Sequence, residues 1–178
     1  MAKQVLIIAS DGFEQSELLK PREALEAAGI GTTVASPQSG EIKGWNHTDW
    51  GDNVKVDKDI EDVRANDYDA ILVPGGQINP DKLRMNRTAV ELVHTFFTAG
   101  KTVAAICHGP WLLAEADVLA GRTVTSWPSI RTDLRNAGAK VVDKEVVVDG
   151  NLITSRKPDD IPAFSKAVIT AVNETVQA

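Results

Sequence analysis

Short continuous apolar runs recur along this chain, and helical patterns fill most of the gaps between them. Residues 4–10 (QVLIIAS) and 102–107 (TVAAIC) are unbroken rather than alternating, and residues 32–36 (TTVAS), 69–74 (DAILVP) and 122–126 (RTVTS) read as further short strands. That pattern predicts strands covered on both faces, as in parallel sheets. Parallel strands need long crossovers, and the intervening segments supply helices. In residues 17–28, Leu18, Leu25 and Ala28 fall at helical spacing and Gly29 ends the pattern. Residues 88–99, 109–119 and 129–137 read as further helices, the first and last stopped by Gly100 and Gly138. Residues 141–155 differ: VVVDGNLIT places two β runs around Asp149-Gly150-Asn151, a hairpin signal. Residues 158–176 predict a closing helix that Pro158 and the acidic pair Asp159-Asp160 begin. Residues 40–53 contain Gly, Asn, Asp and two Trp without any period, and predict an irregular surface loop. The sum is a three-layer α/β/α sandwich, mostly parallel, with a C-terminal β-hairpin. Neither linker nor repeat divides it, so residues 1–178 are expected to form one domain.

Charge narrows what such a sandwich could bind. Lys and Arg number 19 against 25 Asp and Glu, a net charge of −6, with no basic cluster. Nucleic-acid and anionic-membrane binding are therefore not expected. No stretch approaches the ~20 apolar residues of a membrane span. The apolar run at residues 5–9 is too short for a signal-peptide core. A single cysteine, Cys107, precludes an internal disulfide and a Cys-rich zinc site. No two of the three histidines stand at metal-ligand spacing, so neither metal nor cofactor is expected. These features fit a cytoplasmic protein.

Open α/β sheets place ligands at the carboxyl ends of their strands. Three such ends carry chemistry: Ser10-Asp11-Gly12-Phe13-Glu14, Pro74-Gly75-Gly76 and Cys107-His108-Gly109-Pro110. Cys107 closes a buried strand, Ala105 precedes it by two residues, and Gly109 follows by two. Small flanking residues suit a nucleophile elbow, the tight strand-to-helix turn that lifts a side chain above the sheet. A helix N-terminus and the adjacent His108 imidazole would both favour a thiolate there. The His108 backbone N–H and those of Gly75 and Gly76 are candidate oxyanion donors. Glu14 is the candidate partner of the sulfur in proton transfer. Glu17 is expected to face solvent or a subunit interface. His94 lies within an amphipathic helix and reads as structural; His47, between Trp45 and Trp50, either lines a pocket mouth or packs there. A glutamine amidotransferase shares the elbow but requires a downstream histidine, and none follows His108. A flavodoxin needs a hydroxyl- and Gly-rich phosphate loop where SDGFEQSEL stands, and a receiver domain needs more acids and a Lys than Asp11 alone provides.

Together, AICHGPWLL (105–113), DGFEQSEL (11–18), LVPGG (72–76), TSWPSIRTDLRNAGA (125–139) and VVVDGNLITSR (146–156) resemble the PfpI family. That family holds intracellular proteases and bacterial stress proteins and is related to the Parkinsonism-associated deglycase. The resemblance covers nearly the whole chain. It implies a flavodoxin-like sandwich, a nucleophilic Cys107 with His108 beside it, and Glu14 as the carboxylate on the sulfur. It also implies a homodimer or hexamer, in which a neighbouring subunit's carboxylate completes a triad. The matching position is Asp81, in a stretch one residue longer than the family's and with Asp in place of Glu. Implied substrates are small aldehydes such as methylglyoxal, glycated proteins and peptides. The common chemistry would be thiolate addition to a carbonyl. A rival from another class is a non-enzymatic sensor or holdase whose Cys107 oxidises under stress.

Overall fold

The computed structural model describes residues 2–174, so the end of the expected closing helix at Val176 lies outside the described residues. In chain order the elements are β1 (Gln4–Ile8), β2 (Phe13–Glu14), α1 (Gln15–Ala27), β3 (Gly31–Ser36), β4 (Glu41–Asn46), β5 (Asp49–Lys55) and β6 (Lys58–Asp59). Then come β7 (Ala70–Val73), α2 (Ile78–Leu83), α3 (Arg87–Thr98), β8 (Thr102–Ile106), α4 (Pro110–Glu115) and β9 (Thr123–Val124). The chain continues with α5 (Arg131–Asn136), β10 (Lys140–Val141), β11 (Val146–Asp149), β12 (Leu152–Ser155) and α6 (Ile161–Glu174).

Seven strands form the main sheet in the order β11-β12-β8-β7-β1-β3-β6, with every neighbouring pair parallel except β11 with β12. Strand alternation splits the core between the faces. On β1, Leu6 and Ile8 pack with Leu92, Phe96, Leu112 and Leu134, under α3, α4 and α5. Val5 and Ile7 turn the other way, onto Leu18 and Leu25 of α1 and Phe164 and Val168 of α6. All four β1 side chains are fully buried, which is why the run is continuous rather than alternating. The result is the flavodoxin-like, three-layer sandwich with a mostly parallel sheet, and its last hairpin turns at Gly150-Asn151, as expected.

One expectation fails. Residues 40–53 are not an irregular loop: β4 and β5 form an antiparallel hairpin, and β4 pairs with β2 in a second, three-stranded sheet. The pattern was hidden because most of this hairpin is solvent-facing. Ile42 and Val54 alone anchor it among fully buried apolar side chains, and a register shift between Lys43 and Trp45 breaks the alternation. The turn at His47 (φ 57°) and Thr48 also carries no glycine to announce it. The strand order places the carboxyl ends of β1, β7 and β8 side by side, with the connections reversing direction between β1 and β7. The three chemistry-bearing segments therefore meet.

Candidate active site

Cys107 leaves β8 in the left-handed region, φ 63°, which is strained for a residue with a Cβ. The turn is fixed by its neighbours. The Cys107 N–H donates to the Ser155 carbonyl (3.0 Å) and its own carbonyl accepts from the Trp127 N–H (3.0 Å). A side chain at Gly109 would lie 2.7 Å from the Val73 carbonyl oxygen, so only glycine lets α4 start this close to the sheet. Pro110 then occupies the first turn, where a missing N–H costs nothing. The tight strand-to-helix turn read from the sequence is present, with Cys107 at its apex.

The carboxyl beside the thiol belongs to Glu17, not Glu14. Glu17 is 0% exposed, so it faces neither solvent nor an open surface as the spacing had suggested. One carboxyl oxygen, Oε2, accepts the Gly75 N–H at 2.8 Å, and the carboxyl lies in hydrogen-bonding reach of the Cys107 thiol. Glu14 ends β2, directly before α1, and is turned toward the β4–β5 hairpin, where its carboxyl meets the His47 backbone N–H and, from α1, the Ser16 side chain. The three-residue step between Glu14 and Glu17 puts both acids on one side of the entrance to α1, but only the second reaches the sulfur. Gly75 also changes role. Its N–H is taken by Glu17, leaving Gly76 and His108 as the backbone donors directed at Cys107. Gly75 has no room for a Cβ, which would sit 2.6 Å from Cys107 Cβ and overlap Glu17 Oε2.

Burial sets the electrostatics. It pushes the Glu17 carboxyl up to about 8, aided by the charge of Glu14 and opposed by the Gly75 N–H. Burial likewise pushes the Cys107 thiol up; a charged Glu17 adds to this, while the Gly76 and His108 N–H groups oppose it. The two groups therefore resist ionising together. His108 is held below the usual imidazole range by burial, so it is neutral at pH 7 and supplies no imidazolium to the thiol, contrary to expectation. Its Nδ1 lies 3.3 Å from Cys107 Sγ and its Nε2 3.4 Å from Ser129 Oγ. The ring is held between Trp127, stacked at 5.9 Å, and Trp111, edge-on at 5.3 Å.

These groups open into a cleft of about 230 Å³ walled also by Trp45, His47, Gln77 and Pro158. His47 thus lines the mouth, one of its two expected positions, whereas His94 bonds the Ala116 carbonyl within the α3–α4 packing. Asp81 is exposed on α2 and is not among the residues of this cleft. Among the described residues no cluster of His, Cys, Asp and Glu could hold a metal ion, and no helix is long and apolar enough to cross a membrane.

A parallel α/β sheet with a cysteine on a strained strand-to-helix turn and a buried acid against the sulfur defines a class: α/β proteins with a cysteine elbow. Comparison with known proteins makes this specific. Residues 3–171 match the DJ-1/PfpI family, and the chain belongs to it. It is 46% identical to General stress protein 18 of Bacillus subtilis over 168 residues, covering 93% of this chain and 95% of that one. It is 41% identical to Deglycase PfpI of Pyrococcus furiosus over 166 residues, covering 93% and 97%. Among solved structures, Drosophila melanogaster DJ-1beta superposes with a TM-score of 0.87 at 32% identity, covering 98% of this chain and 92% of that one. A two-domain protein from Anabaena variabilis, with DJ-1/ThiJ/PfpI-like and ferritin-like domains, gives a TM-score of 0.91 at 36% identity. The chain covers 48% of that protein's length, and the match spans 96% of this chain.

Proposed function

We propose that this protein is a cysteine-dependent hydrolase or lyase of reactive carbonyls, acting through a Cys107 thiolate with Glu17 as its proton partner. One observation carries the reading: a protonatable, fully buried carboxyl shares hydrogen-bonding reach with a thiol on which two backbone N–H groups already converge. Passing the thiol's proton to a charged Glu17 leaves a neutral acid beside a thiolate, and the Gly76 and His108 donors support the new charge. Both states carry one negative charge, so the transfer adds no further buried ion.

With an α-oxoaldehyde such as methylglyoxal, the thiolate adds to the aldehyde carbon and the alkoxide takes the Glu17 proton, giving a hemithioacetal. The Glu17 carboxylate then removes the hydrogen on that carbon, and the enediol takes a proton back at the neighbouring carbon. The result is a thioester, which water hydrolyses to lactate and the free thiol. The sum is one aldehyde and one water for one hydroxyacid, with no external oxidant or reductant. A cleft of about 230 Å³ suits so small a fragment. Peptide hydrolysis is less well supported, because the His108 Nε2 meets the Ser129 hydroxyl rather than a carboxylate.

The test is lactate formation from methylglyoxal by wild type and Cys107→Ala, with the oxidation state of the sulfur followed by intact mass. Turnover lost in the variant supports the enzyme. Wild-type turnover no faster than the variant's overturns it, and oxidised Cys107 in that sample would favour the sensor.

A further inference from the structure

A buried side chain outside the cleft lining bonds to both peptides that aim donors into it. Asn79, the second residue of α2, is 0% exposed and is engaged at both ends of its amide. Its Oδ1 accepts the Ser10 N–H at 2.7 Å, just beyond β1. Its Nδ2 donates to the Pro74 carbonyl at 3.0 Å and to the Gly75 carbonyl at 3.3 Å, just beyond β7. The Ser10 N–H can only donate and the two carbonyls can only accept. The amide therefore has one orientation, and an ionised carboxyl could serve only one of the two sides. What lies behind those carbonyls gives them their importance. The peptides here are trans, and in a trans peptide the carbonyl and the N–H point in opposite directions. The Pro74 carbonyl shares its plane with the Gly75 N–H, which meets Glu17 Oε2 at 2.8 Å. The Gly75 carbonyl, which also accepts the Glu14 N–H at 3.2 Å, shares its plane with the Gly76 N–H directed at Cys107. Holding both carbonyls toward Asn79 thus turns both N–H groups toward the thiol and the carboxyl. Two glycines in succession could rotate these peptides elsewhere, and Gly76 already sits at φ 80°.

We propose that Asn79 is a positioning residue for the reaction: by anchoring the Pro74 and Gly75 carbonyls it aims one backbone N–H at Glu17 and another at Cys107. This rests on the reading of Cys107 as a carbonyl nucleophile. Asn79 itself moves no proton and meets no substrate. It acts through the Gly76 N–H, which supports negative charge on the sulfur, and through the Gly75 N–H, which holds the carboxyl beside it. It also staples the carboxyl ends of β1 and β7, so the donors keep their aim relative to the acid that α1 carries.

The experiment compares wild type, Asn79→Ala and Asn79→Asp in two assays: iodoacetamide alkylation of Cys107 from about pH 6 to about pH 9, and lactate formation from methylglyoxal. Circular dichroism establishes that each variant is folded. Asn79→Ala removes both donors. Alkylation, which reads the thiolate, should slow about 10-fold to 100-fold at every pH, and kcat should fall by a similar factor with KM within a few fold. A residue that served stability alone would act the other way, because a loosened site exposes the buried thiol and quickens alkylation. Asn79→Asp keeps the shape and the acceptor for Ser10, and only its protonated form has a donor. Its alkylation should lie nearest wild type at the acid end and fall away as pH rises, a trend the alanine variant lacks. Alkylation as fast as wild type's, or faster, in a folded Asn79→Ala overturns the proposal. Should that variant fail to fold, an Asn79→Asp profile parallel to wild type's overturns it equally. Failure of the parent reading looks different: wild type and Cys107→Ala would then form lactate at the same rate, while the alkylation differences among the Asn79 variants stand.

Discussion

The turn after β8 and the segment entering α1 carry the thiol and the carboxyl of the proposed pair, yet they are held in different ways. Cys107 is positioned by backbone: a left-handed angle, hydrogen bonds with the Ser155 and Trp127 main chain, Gly109 pressed on the Val73 carbonyl, and Pro110 starting α4. Glu17 is positioned from far along the chain, by the Gly75 N–H 58 residues away, and Glu14 by pairing with β4. A thiol set by main-chain geometry at the end of a buried strand tolerates side-chain changes at the α1 entrance. Acids held by tertiary contacts do not, so perturbations of the α1 entrance should alter chemistry and selectivity while the elbow stays intact.

The largest expected effect comes from the elbow. Cys107→Ala should reduce lactate formation on the order of 10³-fold or more, since the nucleophile is gone. The fold should persist, which circular dichroism and the unfolding midpoint will check. Next is Glu17→Gln, which keeps the shape and removes the acid; kcat should fall about 10²-fold to 10⁴-fold. If kcat stays within a few fold of wild type, the pairing of the two regions is wrong.

The same substitution has a signature in stability. An unfolded glutamate titrates near about 4.3, whereas burial holds native Glu17 near about 8. Below the unfolded value both states keep the proton and the native state incurs no loss. As pH rises toward about 8, the unfolded chain releases a proton that the native one retains, so wild-type stability drains away. Glu17→Gln abolishes that drain. Urea midpoints should therefore shift in favour of the variant between pH 5 and pH 8, and a constant difference across that range would refute a buried, protonated Glu17.

Gly75→Ala probes the point where the two regions touch. Its Cβ would lie 2.6 Å from Cys107 Cβ and overlap Glu17 Oε2, so thiol and carboxyl must part. We expect a loss of about 1–3 kcal/mol from overpacking, read from denaturant unfolding, together with a large fall in kcat. A fully active, equally stable variant would show that the elbow and the acid move independently.

Much of this difference was already written in the chain. The elbow could be read because Ala105, Cys107, Gly109 and Pro110 encode it within six residues, and the sheet because β1, β7 and β8 are buried on both faces. The choice between Glu14 and Glu17 could not. Both stand at the start of one helix, and what separates them is a pairing between Phe13–Glu14 and Gly44–Trp45 across the second sheet. That strand pair was itself hidden, since β5 exposes most of its residues and β4 loses its register midway. One local signal for Glu17 did exist. It is fully buried one turn before Pro21, which has no N–H for the Glu17 carbonyl, and Leu18 beside it already marked the apolar face of α1.

The smallest effect tests the hairpin side of the comparison. His47 sits at φ 57° in the β4–β5 turn, a conformation costing a residue with a Cβ about 1–2 kcal/mol. His47→Gly relieves that strain, while glycine's greater freedom in the unfolded chain takes back about 0.5–1 kcal/mol. The net change should stay below about 1 kcal/mol, a shift of no more than about 4 °C in the unfolding midpoint. Lactate formation from free methylglyoxal should follow the elbow and change little. The Glu14 carboxyl should not, because the imidazole that favours its charge is lost and it rises further toward its protonated form. A Glu14 titration that is the same in the variant would leave the hairpin as a wall of the cleft and separate His47 from the carboxyl it faces.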